Sequence, residues 1–293
     1  MGALSLALFG AVRPASAQAW SPAGTGSLTL AVQRIDHTGH RVTDGTLSVD
    51  GQSLNVSIYA QFEYSLTDRL AFAAGLPYVF GKYVDPNPPP PLIPFLPVDQ
   101  CRCWNSGAQD LEFATRYNIL HGRFGLTPSI AIVLPSHNYG YGGEASLGRH
   151  LPAVRFAMDA WQHLDMITPR LAVSGGYAYE LVERVLGIPN NRSTASVGAS
   201  YLVHRRLSAH GEVIWQRTHG GLRVGAGDVN TPERLAQHDH LLRDNNMRAG
   251  GGVTYSLPRF DVFVSYLAFV NGTDTHAGRA VNAGITWPFE IHR

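Results

Sequence analysis

The chain is patterned with a period of two. From Leu54 to Tyr64 alternate positions are apolar (Leu54, Val56, Ile58, Ala60, Phe62, Tyr64), and the residues between them are Asn55, Ser57, Tyr59, Gln61 and Glu63. A polar turn, Thr67-Asp68-Arg69, follows, and the alternation resumes with Leu70, Phe72, Ala74, Leu76, Tyr78 and Phe80. A period of two sends the two sets to opposite faces of a strand. Two such runs about a tight turn predict an antiparallel hairpin. Each arm is about ten residues, the length a tilted strand needs to cross a bilayer, whereas strands of soluble proteins are usually nearer five or six. The hairpin thus predicts one unit of a transmembrane barrel, with the apolar set toward lipid and the polar set toward a lumen.

The same pattern recurs along the chain. Leu28 to Gln33 predicts a first strand, and the polar segment Asp36 to Gln52 its connection to the hairpin. Later runs carry Leu111 to Ile119, Phe124 to Leu134, Val154 to Ala160, Leu171 to Glu180, Ala195 to His204, Leu207 to Gln216, Met247 to Tyr255 and Val281 to Phe289. The run Phe260 to Val270 is apolar on both faces apart from Asp261 and Ser265, so its orientation is ambiguous. The expected fold is all-β, a transmembrane antiparallel up-and-down β-barrel of about 12 strands.

The connections are expected to alternate strictly between short and long. Short ones lie at Thr67–Arg69, His121–Arg123, Asp165–Arg170, Arg205–Arg206 and Pro258–Arg259, and long ones lie between them. Outer-membrane barrels have short periplasmic turns and long extracellular loops. Tyr64, Tyr117, Tyr201 and Tyr255 each precede a short turn, as an interfacial aromatic girdle requires. The long segment Val84 to Gln109 contains Pro86-Asn87-Pro88-Pro89-Pro90-Pro91, which cannot supply ladder donors.

Charge placement carries the functional reading. A Lys or Arg facing lipid at the bilayer midplane costs roughly 2–4 kcal/mol. By alternation Glu63, Glu112, Arg116, Arg155, Asp159, Glu180, Glu212 and Arg248 all fall opposite the apolar set and are candidate lumen-lining residues. Arg217 and Arg279 are the exceptions, both beside long loops where anionic lipopolysaccharide headgroups would meet them. Opposite-sign pairs of this kind either lock across a narrow barrel or line a path for solute.

Composition fits this picture. Charged residues make up 15% of the 293, against roughly 25% in average soluble proteins. The net charge of +1 gives no field for nucleic acid, and no apolar run approaches the roughly 20 residues of a membrane helix. Ala3 to Val12 with Ala15-Ser16-Ala17 has the form of a secretory signal, without the usual basic segment, cut before Gln18. The expected division is residues 1–17 as signal peptide and 18–293 as the barrel, with Gln18 to Ser27 free to enter the lumen as a partial plug. Cys101 and Cys103 are too close for an unstrained disulfide, and a strained disulfide, a metal pair and free thiols all fit.

Catalytic signatures are sparse. No His is followed two positions later by Ser, and G-x-S-x-G, H-E-x-x-H and phosphate-loop patterns are missing. In Leu134-Pro135-Ser136-His137 a Ser adjoins a His, but neighbouring strand positions point to opposite faces. His137, His150, His219, His238, His240 and His276 are expected as solvated loop histidines, so no metal ligand or cofactor is assigned.

Gly107-Ala108-Gln109-Asp110-Leu111, Tyr117-Asn118-Ile119-Leu120 and Leu134-Pro135-Ser136 resemble the G-x-x-D-L, Y-x-L-L and L-P-[TS] blocks of the outer-membrane proteins associated with the meta-pathway of phenol degradation. Val197-Gly198-Ala199-Ser200-Tyr201 and Gly284-Ile285-Thr286-Trp287 are similar to that family's later blocks. His137 stands where the family often has Gly, and the proline loop and C-x-C lie outside its pattern. The resemblance implies a barrel with a transport role and transfers no site residues. The resulting expectation is an outer-membrane channel for passive uptake of small organic compounds, in contact with outer-membrane lipid and lipopolysaccharide. A lipid-acting barrel enzyme and a structural or adhesion barrel are the alternatives.

Overall fold

The computed structural model describes residues 22–49, 52–84, 97–100, 102–120, 122–223, 227–228 and 231–291. The signal-peptide reading and the proline tract fall outside these residues. The strands are β1 (Thr25–Arg41), β2 (Leu47–Ser48), β3 (Ser53–Ser65), β4 (Leu70–Tyr83), β5 (Asn105–Ala108), β6 (Asp110–Tyr117), β7 (Phe124–Pro135), β8 (Ala153–His163), β9 (Leu171–Val182), β10 (Asn190–His204), β11 (Leu207–Gly220), β12 (Asn245–Ser256), β13 (Asp261–Thr273) and β14 (Thr275–Glu290). Each long strand pairs antiparallel with its neighbours in sequence, and β1 pairs with β14 from Thr25↔Glu290 to Arg41↔Thr275, which closes the sheet. The result is the expected twelve-stranded barrel. Two short additions complete it: β2 pairs with β1, and β5 continues β6 along β4.

Alternation sorts the side chains as a two-solvent barrel requires. Leu30, Ile58, Phe72, Phe113, Ile130, Phe156, Val197 and Val264 point outward and are exposed, while Ala31, Tyr59, Ala73, Ala114, Ala131 and Phe263 point inward and are buried. The ambiguous run is resolved in β13, with Val262, Val264 and Tyr266 outward and Phe263, Ser265 and Leu267 inward. Phe263 can face the lumen because its cross-strand partner is Gly284, whose missing side chain leaves room for the ring. Ile130, 52% exposed at the middle of β7, gives a direct check. Ile130→Arg should destabilise the folded barrel by about 2–4 kcal/mol in urea titrations from liposomes, and Ile130→Ala by much less.

The two ends of the barrel differ. At one end all five connections are brief. Thr67 Oγ1 accepts from the Arg69 and Leu70 N–H groups and so turns the chain between β3 and β4. Tyr117, Tyr201 and Tyr255 stand exposed on the outer wall at this end. At the other end the expected rule of long loops fails twice. Residues 183–189 form a seven-residue connection, and β13 turns into β14 through Asp274 alone, at φ 53°. Asp274 tolerates that conformation as a short polar side chain, and its Oδ1 accepts from Thr43 Oγ1 at 2.6 Å.

The first strand is longer than its apolar pattern. It runs through Asp36 to Arg41, a stretch expected to be loop, because β14 and β3 pair with it almost throughout. Arg34 and Asp36 therefore stand on the outer face beside Arg279, with Arg34 NH2 3.0 Å and Arg279 Nε 3.5 Å from Asp36 Oδ1 and Oδ2. The ladder shifts register between His37 and Gly39. A β-bulge of this kind changes the phase of alternation. His37 and His40, an odd and an even position, consequently meet the same ring, that of His276.

Candidate functional site

The lumen is charged. The structure places Glu112, Arg116, Arg155, Asp159, Glu180 and Arg248 around one solvent-connected cavity, together with Arg192, Gln216 and Asn246. Glu63 joins this group through Arg116, whose NH1 donates to Glu63 Oε2 at 2.8 Å. Arg155 pairs with Glu112. Glu212 lies on the inward phase of β11, two positions before Ile214, which lines the cavity. Arg217 and Arg279 face outward and are exposed. A second cavity shares Glu112, Glu180 and Arg192 with the first and reaches Tyr59, Asp110 and Arg149. A polar chain climbs the opposite wall, with Gln33 Nε2 donating to Asn282 Oδ1 at 2.7 Å and Asn282 Nδ2 to Ser265 Oγ at 3.2 Å.

Two loops fold inward over this lumen. Residues 136–152 and 231–244 bury Tyr139, Ala145, Leu147, Leu151, Leu241 and Leu242. Leu151 and Leu241 pack with Ala153, Val182 and Leu222 in one apolar cluster at the loop end of the wall. Polar contacts set the register. The Asp99 carboxylate accepts from the Glu144 and Ala145 N–H groups, both at 2.8 Å, and Gly143 at φ 118° lets the chain pass it where a Cβ would collide with the carboxylate. Tyr139 donates its hydroxyl to Asp110 and accepts from the His150 N–H at 2.9 Å. Arg149 joins the two loops, because its Nε and NH2 donate to the His240 carbonyl at 3.1 and 2.9 Å. Asp244 ends the second loop as a hub. Its Oδ1 accepts from Thr275 Oγ1 at 2.5 Å and Asn246 Nδ2 at 2.8 Å, and its Oδ2 accepts from Gln216 Nε2 at 2.8 Å.

These loops are not solvated, which corrects the expectation for two of the histidines. His240 and His276 are buried, at 4% and 7% exposure. Burial, reinforced by Arg149 and His150, pushes His240 down to about 3, so it is neutral at pH 7. Burial lowers Arg149 only to about 10, because Asp244, Glu180 and Asp110 support its charge. Burial raises Asp99 to about 7 against the pull of its two N–H donors. At the same end His40 Nε2 lies 2.8 Å from Glu144 Oε1, and His276 Nε2 lies 2.9 Å from Glu144 Oε2. The two histidines hold the Glu144 carboxyl well below the usual carboxylate range although burial alone would raise it.

Among the described residues, the segments that fold into the lumen come from the loop end. Of the proposed N-terminal plug, residues 18–21 are not described. Thr25–Ser27 open β1, and the Gly24 N–H donates to the Ser65 carbonyl, at the opposite end. Cys103 is disulfide-bonded, which decides among the three cysteine readings, while Cys101 falls outside the described residues.

Ser136 and His137 also depart from expectation. β7 ends at Pro135, so strand alternation no longer governs them, and Ser136 Oγ lies 2.8 Å from His137 Nδ1. The pair lacks the geometry of a nucleophile and its base. The Ser136 hydroxyl donates to the Ala108 carbonyl at 3.0 Å, and among the described residues no carboxylate orients the exposed His137.

With this geometry in place, the chain has the fold of an outer-membrane β-barrel. It superposes on the COG4313 outer membrane channel from Pseudomonas putida F1 with a TM-score of 0.71 at 14% identity, covering 95% of this chain and 100% of that one. The KdgM porin matches with a TM-score of 0.48 at 7% identity, covering 91% and 99%. The toluene transporter TodX of Pseudomonas putida matches at 0.47 and 10%, covering 96% and 92%. The last two scores are too low to carry argument, and the first speaks for the fold alone. No protein-family profile and no curated protein matches the sequence.

Proposed function

We propose that this protein is an outer-membrane channel for passive uptake of small organic compounds, with a bore governed by its inward loops. The observation that carries the reading is the solvent-connected cavity lined by charges of both signs inside a closed barrel. A barrel that served only as a scaffold gains nothing from keeping Arg155, Arg192 and Glu180 inside, since removing charges from water is costly. Charges of both signs along the cavity give a solute polar groups to exchange with. The outer wall of apolar side chains, with Arg34, Asp36 and Arg279 near the loop end, suits an asymmetric membrane whose outer leaflet carries anionic headgroups. The resemblance to the family linked to phenol degradation points toward small organic solutes. Arginine donors and the ring of Tyr59 along the cavity walls fit aromatic compounds with a polar substituent.

Reconstitution tests the proposal. The folded protein in planar bilayers should give small, reproducible conductance steps, and liposomes containing it should swell in phenol-sized solutes faster than in disaccharides. Folded protein with neither conductance nor solute flux would overturn it. Ser136→Ala should leave both measurements unchanged, as the absence of a triad geometry at that residue requires.

A further inference from the structure

The loop end of the barrel brings together four side chains that neither the lumen reading nor the sequence pattern uses. His40 comes from β1, His276 from β14, Glu144 from the first inward loop and Asp239 from the second. One ligand atom of each lies within 4.8 Å of the others. We propose that His40, Glu144, Asp239 and His276 bind a divalent transition-metal ion, best matched by Zn²⁺, that clips both loops to the barrel wall.

The cluster is built rather than incidental. The bulge at His37/Gly39 turns His40 inward, and the register pairs it directly with His276, ring centroids 4.2 Å apart. The Asp99 carboxylate holds the backbone of Glu144 and Ala145, which aims the Glu144 side chain between the two imidazoles. The Arg149 clamp on the His240 carbonyl fixes the residue after Asp239. Three separate devices thus converge on one point.

Charge and chemistry then select the ligand. Glu144 and Asp239 are two buried carboxylates brought close together, at 6% and 5% exposure. Among the described residues neither forms an ion pair with an arginine or lysine. Their titratable neighbours are histidines: His40 and His276 for Glu144, and His238, 3.0 Å away, for Asp239. Two carboxylates sharing a buried site repel unless a cation joins them. A divalent ion supplies both charges and takes neutral imidazole as ligand, replacing the protons that now lie between each Nε2 and Glu144. Two nitrogen and two oxygen donors suit a first-row ion. Tetrahedral Zn²⁺ with bonds of about 2.0–2.1 Å places neighbouring donors roughly 3.3 Å apart. The 2.8 and 2.9 Å contacts would open slightly and the widest pair would close, both within side-chain reach. Calcium and magnesium prefer all-oxygen sets and are poor matches.

The inference does not depend on the channel reading, because binding is measured without flux. Full-length protein, refolded in detergent and treated with a chelator, is titrated with ZnCl₂ alone by calorimetry and with Co²⁺ alone by visible absorption. The expected result is one saturable site, with the intense visible bands of tetrahedral Co²⁺. The double variant His40→Ala/His276→Ala should weaken binding by about 100-fold or more, a decade or more per lost ligand, and should abolish the Co²⁺ bands while keeping the heat-dependent gel mobility of a folded barrel. The pair His163→Ala/His204→Ala, at the short-turn end of the barrel, should stay within about threefold of wild type. No saturable binding by the folded protein would overturn the proposal. So would binding that survives the loss of His40 and His276.

Discussion

Replacing Arg149 with Met should open the bore, with the mean conductance in planar bilayers rising about tenfold or more while the barrel stays folded. The guanidinium hydrogen-bonds from the 136–152 loop directly to the 231–244 loop, through two bonds to the His240 carbonyl. It also supplies the positive charge that Asp244, Glu180 and Asp110 face. A hydrogen bond made by a charged group contributes about 1.5–3 kcal/mol. Losing the clamp should therefore shift the docked loops toward release by about 3 kcal/mol, near two decades in population, since 1.4 kcal/mol is tenfold. Arg149→Lys keeps the charge but not the two-pronged contact, and should fall between the two. Wild-type conductance from a folded Arg149→Met protein would mean that these loops do not limit the path. The loops should also become accessible to protease from the loop end only, which separates loop release from general loosening.

The twelve strands were legible because each one reports its own two solvents. Ile58 and Tyr59 are adjacent, yet one is 47% and the other 3% exposed, and nothing beyond the alternation was needed to tell them apart. The pattern loses its meaning where a strand outgrows the membrane. Arg34 and Asp36 broke the apolar run and disguised eight further residues of β1, although the ladder to β14 continues past them to Arg41. The bulge at His37/Gly39 has no signature in a count of odd and even positions, so His40 could not be placed inside. Loops have no period at all. Their inward fold rests on contacts between residues 45 to 132 apart, such as Asp99 with Glu144 and Glu144 with His276. A partial sequence signal existed: Leu147, Leu151, Leu241 and Leu242 are apolar residues in segments that a solvated loop would keep polar. Arg192 was missed for a related reason. It precedes the apolar run of β10 by three residues, yet it lies 3% exposed beside both cavities.

Arg155→Met should be the most damaging single change within the lumen. Arg155 is paired with Glu112, and its charge also faces Glu180 on the neighbouring strand, its register partner in the ladder. Removing it leaves two buried carboxylates, at 8% and 6% exposure, without their shared cation. Breaking a buried pair from one side typically costs 3–5 kcal/mol, because the remaining charge is uncompensated. A loss of about 3 kcal/mol is expected in urea unfolding from liposomes. Glu112→Gln on the same background removes one orphaned charge and should recover about half of that loss, a coupling that a double-mutant cycle reads directly. Transport should respond in a different sense. Losing Arg155 moves the charge of the cavity lining by one unit toward negative, and reversal potentials under a salt gradient should move toward cation selectivity. The double variant should return the selectivity close to that of wild type even where it remains less stable. If stability falls but selectivity does not move, the charges of this ring are struts that hold the wall together, and the solute path runs elsewhere in the barrel.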